Sequence, residues 1–156
     1  MSSGNEELYS LVIPMTGSRL IVPRVCVAEV SGLGQLSLLD HGPEWLVGKV
    51  GWKGRQLPLV SFEVACGDEL PDIGRRTRAV IFHATSDLHG GFFAIVSQGL
   101  PQLVRINASV VSPEPGADWP EDAPILCRIR MVNEFPFVPD LEALEAMLAD
   151  VVSDWR

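Results

Sequence analysis

Apolar positions along this chain recur mostly at strand period, in short runs divided by Gly, Pro, Asn and Asp. Residues 8–15 and 19–23 are two such runs around Thr16, Gly17 and Ser18, which predicts an opening hairpin. Residues 25–30, "VCVAEV", alternate well enough for a half-buried strand with Glu29 among apolar neighbours. Residues 31–42 read as loop, and Pro43 suits the first position of one helical turn before Gly48. Strands are predicted over 48–52 and 56–60 around a three-residue connection, Lys53, Gly54 and Arg55. One helical turn at 62–66 ends at Gly67. After the polar loop "GDELPDIGRRT", strands follow over 78–84, 91–97, 100–106, 109–111, 125–132 and 135–138. Asp140 then caps a helix with Leu141, Leu144, Met147, Leu148 and Val151 on one face.

Pro58 interrupts a run of β-formers. A proline donates nothing to a ladder, so it belongs at a strand edge, a bulge or a first strand residue, and a barrel rim is the expected place. "LPLVSFE" at 57–63 is echoed by "FPFVPDLE" at 135–142, each followed by a helix start. The echo suggests two similar all-β halves.

At 156 residues the chain is long enough for one domain with a substantial core. Its apolar runs fall short of the ~18 residues a membrane helix needs, and the first residues, "MSSGNEE", lack the pattern of an export signal. A cytoplasmic protein without membrane insertion is expected. The net charge of −8 disfavours nucleic acid, and Arg75, Arg76 and Arg78 read as a solvated loop. Cys26, Cys66 and Cys127 lack metal or disulfide spacing and read as buried, reduced thiols.

No catalytic pattern emerges. His41, His83 and His89 lie near no nucleophile at a spacing that suggests a triad, and no phosphate loop or nucleophile elbow occurs. Asp118, Glu121 and Asp122 around Trp119 lack the spacing of a calcium loop and read as solvated. Trp45 and Trp52 are core filling or the anchors of a protein contact. Neither an enzyme nor a cofactor is expected.

The stretches "LYSLVIPMTGSRLIVPRVCVAEV", "PEWLVGKVGWKGRQLPLVSFEVACG" and "ILCRIRMVNEFPFVPDLEAL" together resemble the CheW-like domain family over about residues 7–150. Pro23, Val27, Glu29, Val30, Gly48, Gly54, Pro58, Asp140 and Leu141 match its pattern. Lys53 stands where the family usually has arginine before glycine, Gly51 where asparagine is common, and Ser61 and Ser97 where aspartates occur. The resemblance implies an all-β fold of two five-stranded SH3-like β-barrel halves around a shared core, with a short C-terminal helix. It further implies a chemotaxis adaptor in two-component signal transduction. Its partners would be a CheA-type histidine kinase and the methyl-accepting chemoreceptor cytoplasmic domain. Val27, Glu29, Val30, Lys53 and Gly54 are the candidate receptor-binding residues, while the kinase-binding surface is unassigned.

The expected organisation is a disordered tail at 1–6 and a single domain at 7–152. Its halves span about 16–77 and 78–140, share the first strand, and are followed by the helix at 140–152. The loose motif admits an accessory or type IV pilus system. Two other readings stand beside the adaptor: a regulator binding only one of the two partners, and a small-ligand-binding barrel or enzyme with Trp52, Trp119 and His83 in one pocket.

Overall fold

The structure, a computed structural model, describes residues 7–34, 36–86, 88–107, 112–113, 118–131 and 133–152. The tail expected at 1–6 and the strand expected at 109–111 lie outside these residues. The chain is mostly β, its described strands forming two curled sheets.

The first sheet is built from β1 (Leu8–Pro14), β2 (Arg19–Pro23), β9 (Gln102–Ile106), β10 (Ser112–Pro113), β11 (Ile125–Arg130) and β12 (Phe137–Pro139). The second holds β3 (Val27–Ser31), β4 (Leu36–Leu38), β5 (Leu46–Trp52), β6 (Arg55–Val60), β7 (Arg78–His83) and β8 (Phe92–Ser97). Their orders are β10-β11-β12-β2-β1-β9 and β4-β5-β6-β8-β7-β3. Read in this way, both sheets follow one series of pairings: antiparallel twice, then parallel (β12 with β2, β6 with β8), then antiparallel twice. The first sheet is therefore a circularly permuted copy of the second. That supplies a structural basis for the echo, since β6 and β12 occupy equivalent places before α1 (Phe62–Ala65) and α2 (Leu141–Val152).

The strands do not divide at residue 77. β7 and β8 share a sheet with β3–β6, while β1 and β2 join β9–β12. Five longer strands in each sheet are extended by one short strand, β4 or β10. β4 falls where loop was expected. Residues 24–26 form a 3-10 turn before β3, and the chain at Pro43 makes a turn closed by the Leu46 N–H on the Pro43 carbonyl, at 3.1 Å, instead of a helical turn.

Alternation in β7 and β8 feeds two cores. Val80, Phe82, Phe93 and Ile95 join Ile13, Leu20 and Val22 of the other sheet and Leu144 and Leu148 of α2 in the layer between the sheets. Ala79, Ile81, Ala94 and Val96 face Val47, Val50, Leu57 and Leu59 inside the curl of the second sheet. Burial on both faces is why "RAVIFHA" and "GFFAIVS" read as unbroken apolar runs.

Pro58 is buried within β6, a strand flanked on both sides, so it is not at a rim. Register explains its presence. Counting from Trp52–Arg55 beside the turn, Lys49–Pro58 falls at a non-hydrogen-bonded pair, where the nitrogen points away from β5. On its other side β6 pairs with β8 from Leu59 onward. The missing donor is therefore not needed by either ladder.

The helix is capped as expected. The Asp140 carboxylate accepts the Ala143 N–H at 3.1 Å, and Leu144, Leu148 and Val152 are buried. Ser61, in the place of a family aspartate, caps α1 by accepting the Val64 N–H at 3.3 Å.

Candidate functional site

The connection between β5 and β6 has two residues, Lys53 and Gly54, not three. Their φ values of 48° and 77° are both positive, as a type I′ hairpin turn requires. Glycine meets that demand without steric cost, while Lys53 adopts a left-handed backbone that few side-chain-bearing residues favour. The tight turn fixes Trp52, Lys53 and Arg55 on the tip of one rigid hairpin.

Glu29 comes from β3, which lies at the far edge of the same sheet. A register shift between Val27 and Glu29 resets the alternation of this strand. Val27 and Val30 pack on the inter-sheet core while Glu29 stays exposed. Because the sheet curls, Glu29 meets the hairpin tip. The Trp52 Nε1–H donates to Glu29 Oε2 at 3.1 Å, and Lys53 Nζ lies 3.9 Å from Glu29 Oε1. Lys53 Nζ also stands 5.0 Å from the Trp52 ring centroid, within cation–π range.

The indole is also supported by a second ring. Trp52 meets Phe92 edge-on, with centroids 4.9 Å apart. Arg55 lies over Phe92 at 5.2 Å and donates from Nη1 to the Gly90 carbonyl at 2.6 Å. The His83 ring is 5.4 Å from that of Phe92. The result is a surface of half-buried aromatic rings and exposed charges of mixed sign, held by packing on the core of the second sheet. Such a surface can anchor a protein contact through its aromatic area and orient it through Glu29, Lys53 and Arg55.

Of the candidate receptor-binding residues, Glu29, Lys53 and Gly54 thus come together, whereas Val27 and Val30 do not share this surface. Sequence reasoning missed Phe92, Arg55 and the bridging part of Trp52. The only local signal was the position of Trp52 and Arg55 on either side of the turn.

The single pocket imagined for Trp52, Trp119 and His83 does not form. Trp52 and His83 both touch Phe92, while Trp119 packs edge-on against Phe137 at 6.1 Å. Trp119 belongs to a separate cleft of about 270 Å³ with Phe62, Glu63, Cys66 and Asp118. The Cys66 thiol is pushed up to about 12 by burial first, then by Asp68 and Glu63, so it stays protonated and unreactive at neutral pH. Cys26 and Cys66 are partly buried and free, but Cys127 is exposed on β11, contrary to the buried setting expected. Among the described residues no group of three or more His, Cys, Asp or Glu is arranged to hold a metal ion, and no helix is long and apolar enough to cross a membrane.

The sequence profile of the CheW-like domain family matches residues 10–145. Comparison with curated proteins finds no match. Among solved structures, the scaffolding protein TtCheW from Thermoanaerobacter tengcongensis is similar in fold, with a TM-score of 0.72 at 13% sequence identity. The similarity covers 87% of this chain and 86% of that one.

Proposed function

This chain belongs to the CheW-like domain family, and from that premise we propose that it is a non-enzymatic chemosensory adaptor. In this reading it couples the cytoplasmic tips of methyl-accepting chemoreceptors to a CheA-type histidine kinase, and it works in the cytoplasm. The observation that carries the reading is the Glu29–Trp52–Lys53 cluster on the β5–β6 tip. It joins two separate family motifs, the V-x-E-V stretch and the turn before Pro58, into one exposed patch. A contact of this kind acts by area and shape, burying on the order of 1,000 to 1,600 Å² in total. Catalysis has no place in that mechanism.

Lys53 favours a second reading. It stands in the place of an arginine, and its ammonium is already engaged by Glu29 and the Trp52 ring. A lysine is a point charge without the planar fork through which arginine grips a carboxylate or amide. A weakened receptor contact would make the protein a regulator that binds the kinase alone. The loosened motif also suits an accessory or type IV pilus system.

The deciding experiment is recovery of the purified protein with a CheA-type kinase and with a receptor signalling fragment, separately and together. Recovery of a ternary complex is expected for an adaptor. Binding to only one partner supports the regulator, and binding to neither removes both readings.

A further inference from the structure

Away from the Glu29–Lys53 patch, and sharing no residue with it, lies the cleft of about 270 Å³ between the β1–β2 turn, α1 and the start of β11 and β12. Its wall includes Thr16 to Ser18, Phe62, Glu63, Asp68, Trp119 and Phe137. Three carboxylates, Glu63, Asp68 and Asp118, border it, and among the described residues no lysine or arginine does.

Glu63 is the informative residue. It is 4% exposed, and its Oε2 accepts the Thr16 N–H at 2.9 Å and the Gln98 side-chain amide at 3.2 Å. Its Oε1 is buried and has no hydrogen-bond partner among the described residues. A buried carboxylate oxygen without a donor is costly, and a donor delivered into the cleft would compensate it. The surroundings select its charge. Asp68 and Glu63 both act on the neighbouring Cys66 thiol in the sense expected of a negative local potential. Asp118 adds another carboxylate at the rim, where its own Oδ1 accepts the Trp119 N–H at 2.9 Å.

We propose that this cleft is a binding site for a guanidinium group, the side chain of an arginine in a basic segment of a partner protein. The acceptor sits deep, so its donor must be carried on a slender apolar stem. The walls of Phe62, Ile125 and Phe137 suit the methylenes of such a stem. A guanidinium offers several donors in a rigid plane, enough to serve Glu63 Oε1 and a second carboxylate together, and its flat face stacks on an indole such as Trp119. An ammonium offers neither the plane nor the fork. Arg128, which lies over Phe137 of the aromatic wall, is not the occupant. It lies 4.7 Å from the Phe137 centroid, donates from Nε to the Phe135 carbonyl at 2.7 Å, and does not line the cleft. Three carboxylates outnumber one guanidinium, which is why the arginine is assigned to a segment with further cations.

The test is titration of the intact protein with three blocked tripeptides that differ only in their central residue: arginine, lysine or citrulline, the last being neutral. Binding is read by calorimetry and by Trp119 fluorescence, with Trp119→Phe as the control for the other tryptophans. The arginyl peptide is expected to bind saturably at millimolar concentration. The lysyl peptide should bind more weakly and the citrullyl peptide not at all. Glu63→Gln should weaken the arginyl peptide by about tenfold or more, a loss of about 1.4 kcal/mol. The double variant Asp68→Asn/Asp118→Asn, whose residues are exposed, should weaken it similarly and serves if Glu63→Gln fails to fold. The proposal is overturned by the absence of a saturable response. Equal binding of the lysyl or citrullyl peptide, or undiminished binding by the double variant, overturns it as well.

Discussion

The indole N–H of Trp52 donates to the Glu29 carboxylate at 3.1 Å across the mouth of a curled sheet, joining an edge strand to the hairpin near the opposite edge. The bond is exposed, so its value lies in positioning more than in stability. The accompanying Lys53–Glu29 ion pair, with side chains 67% and 45% exposed, contributes only about 0–1 kcal/mol.

Lys53→Glu places a like charge beside Glu29 on a surface proposed to meet the receptor. Receptor-fragment affinity is expected to fall by about tenfold, with kinase affinity and Tm nearly unchanged. Lys53→Arg should preserve or strengthen the contact. Titrations at low and high salt check both, because a rim charge is screened. Undiminished receptor binding by Lys53→Glu at low salt would leave the hairpin tip a mere connection.

Pro58→Ala is expected to cost about 1 kcal/mol, through lost packing and a freer unfolded chain. Val60→Asp, at a fully buried site in the inter-sheet core, should cost about 3 kcal/mol or more, because an unpaired charge enters an apolar layer. Urea denaturation of the two variants makes the comparison. Equal losses would show that the packed layer depends on the Pro58 ring as strongly as on Val60.

Glu145 on α2 is 3% exposed, and its carboxylate accepts from the backbone and side chains of both Thr85 and Ser86. Burial pushes its titration up, but the Ser86 and Thr85 hydrogen bonds outweigh that and hold it below the ordinary carboxyl value. A depressed folded value means stabilisation that is complete above the unfolded value and lost as pH falls through the folded one. Glu145→Gln should therefore lower Tm at about pH 7, and its deficit should shrink toward about pH 3. Thermal melts of both proteins across that range test this. A deficit that does not change with pH would mean that the carboxylate charge plays no part in docking the helix.

Cys66 and Cys127 should differ in alkylation. With its thiol pushed up to about 12, Cys66 supplies almost no thiolate at mildly alkaline pH, while Cys127 is exposed. Peptide mapping after brief iodoacetamide treatment should find Cys127 modified first and Cys66 protected until unfolding. Early modification of Cys66 would show that the thiol is not held protonated.

Local features were legible from the residues alone. The turns at Gly17 and Gly54, the Asp140 cap, the apolar face of α2 and the presence of strands at β7 and β8 each depend on neighbours in sequence. Strand limits were less exact: β4 was hidden because three residues, two of them exposed, carry little period. The register that accommodates Pro58 could not be read without knowing that the β5–β6 turn has two residues.

The sequence by itself determined an all-β chain with short strands, one terminal helix and the CheW-like motif order, because strand period, turn chemistry and capping are properties of adjacent residues. Tertiary structure decided which strands share a sheet, since the parallel pairings of β12 with β2 and β6 with β8 join segments that no local signal connects. It also decided which side chains of the motif act together. Curling of the second sheet brings Glu29 to Trp52 and Lys53, while the shifted register of β3 turns Val27 and Val30 into the core. The unpartnered oxygen of Glu63 arises in the same way, from two sheets and a short helix closing around a carboxylate whose second oxygen they leave without a donor.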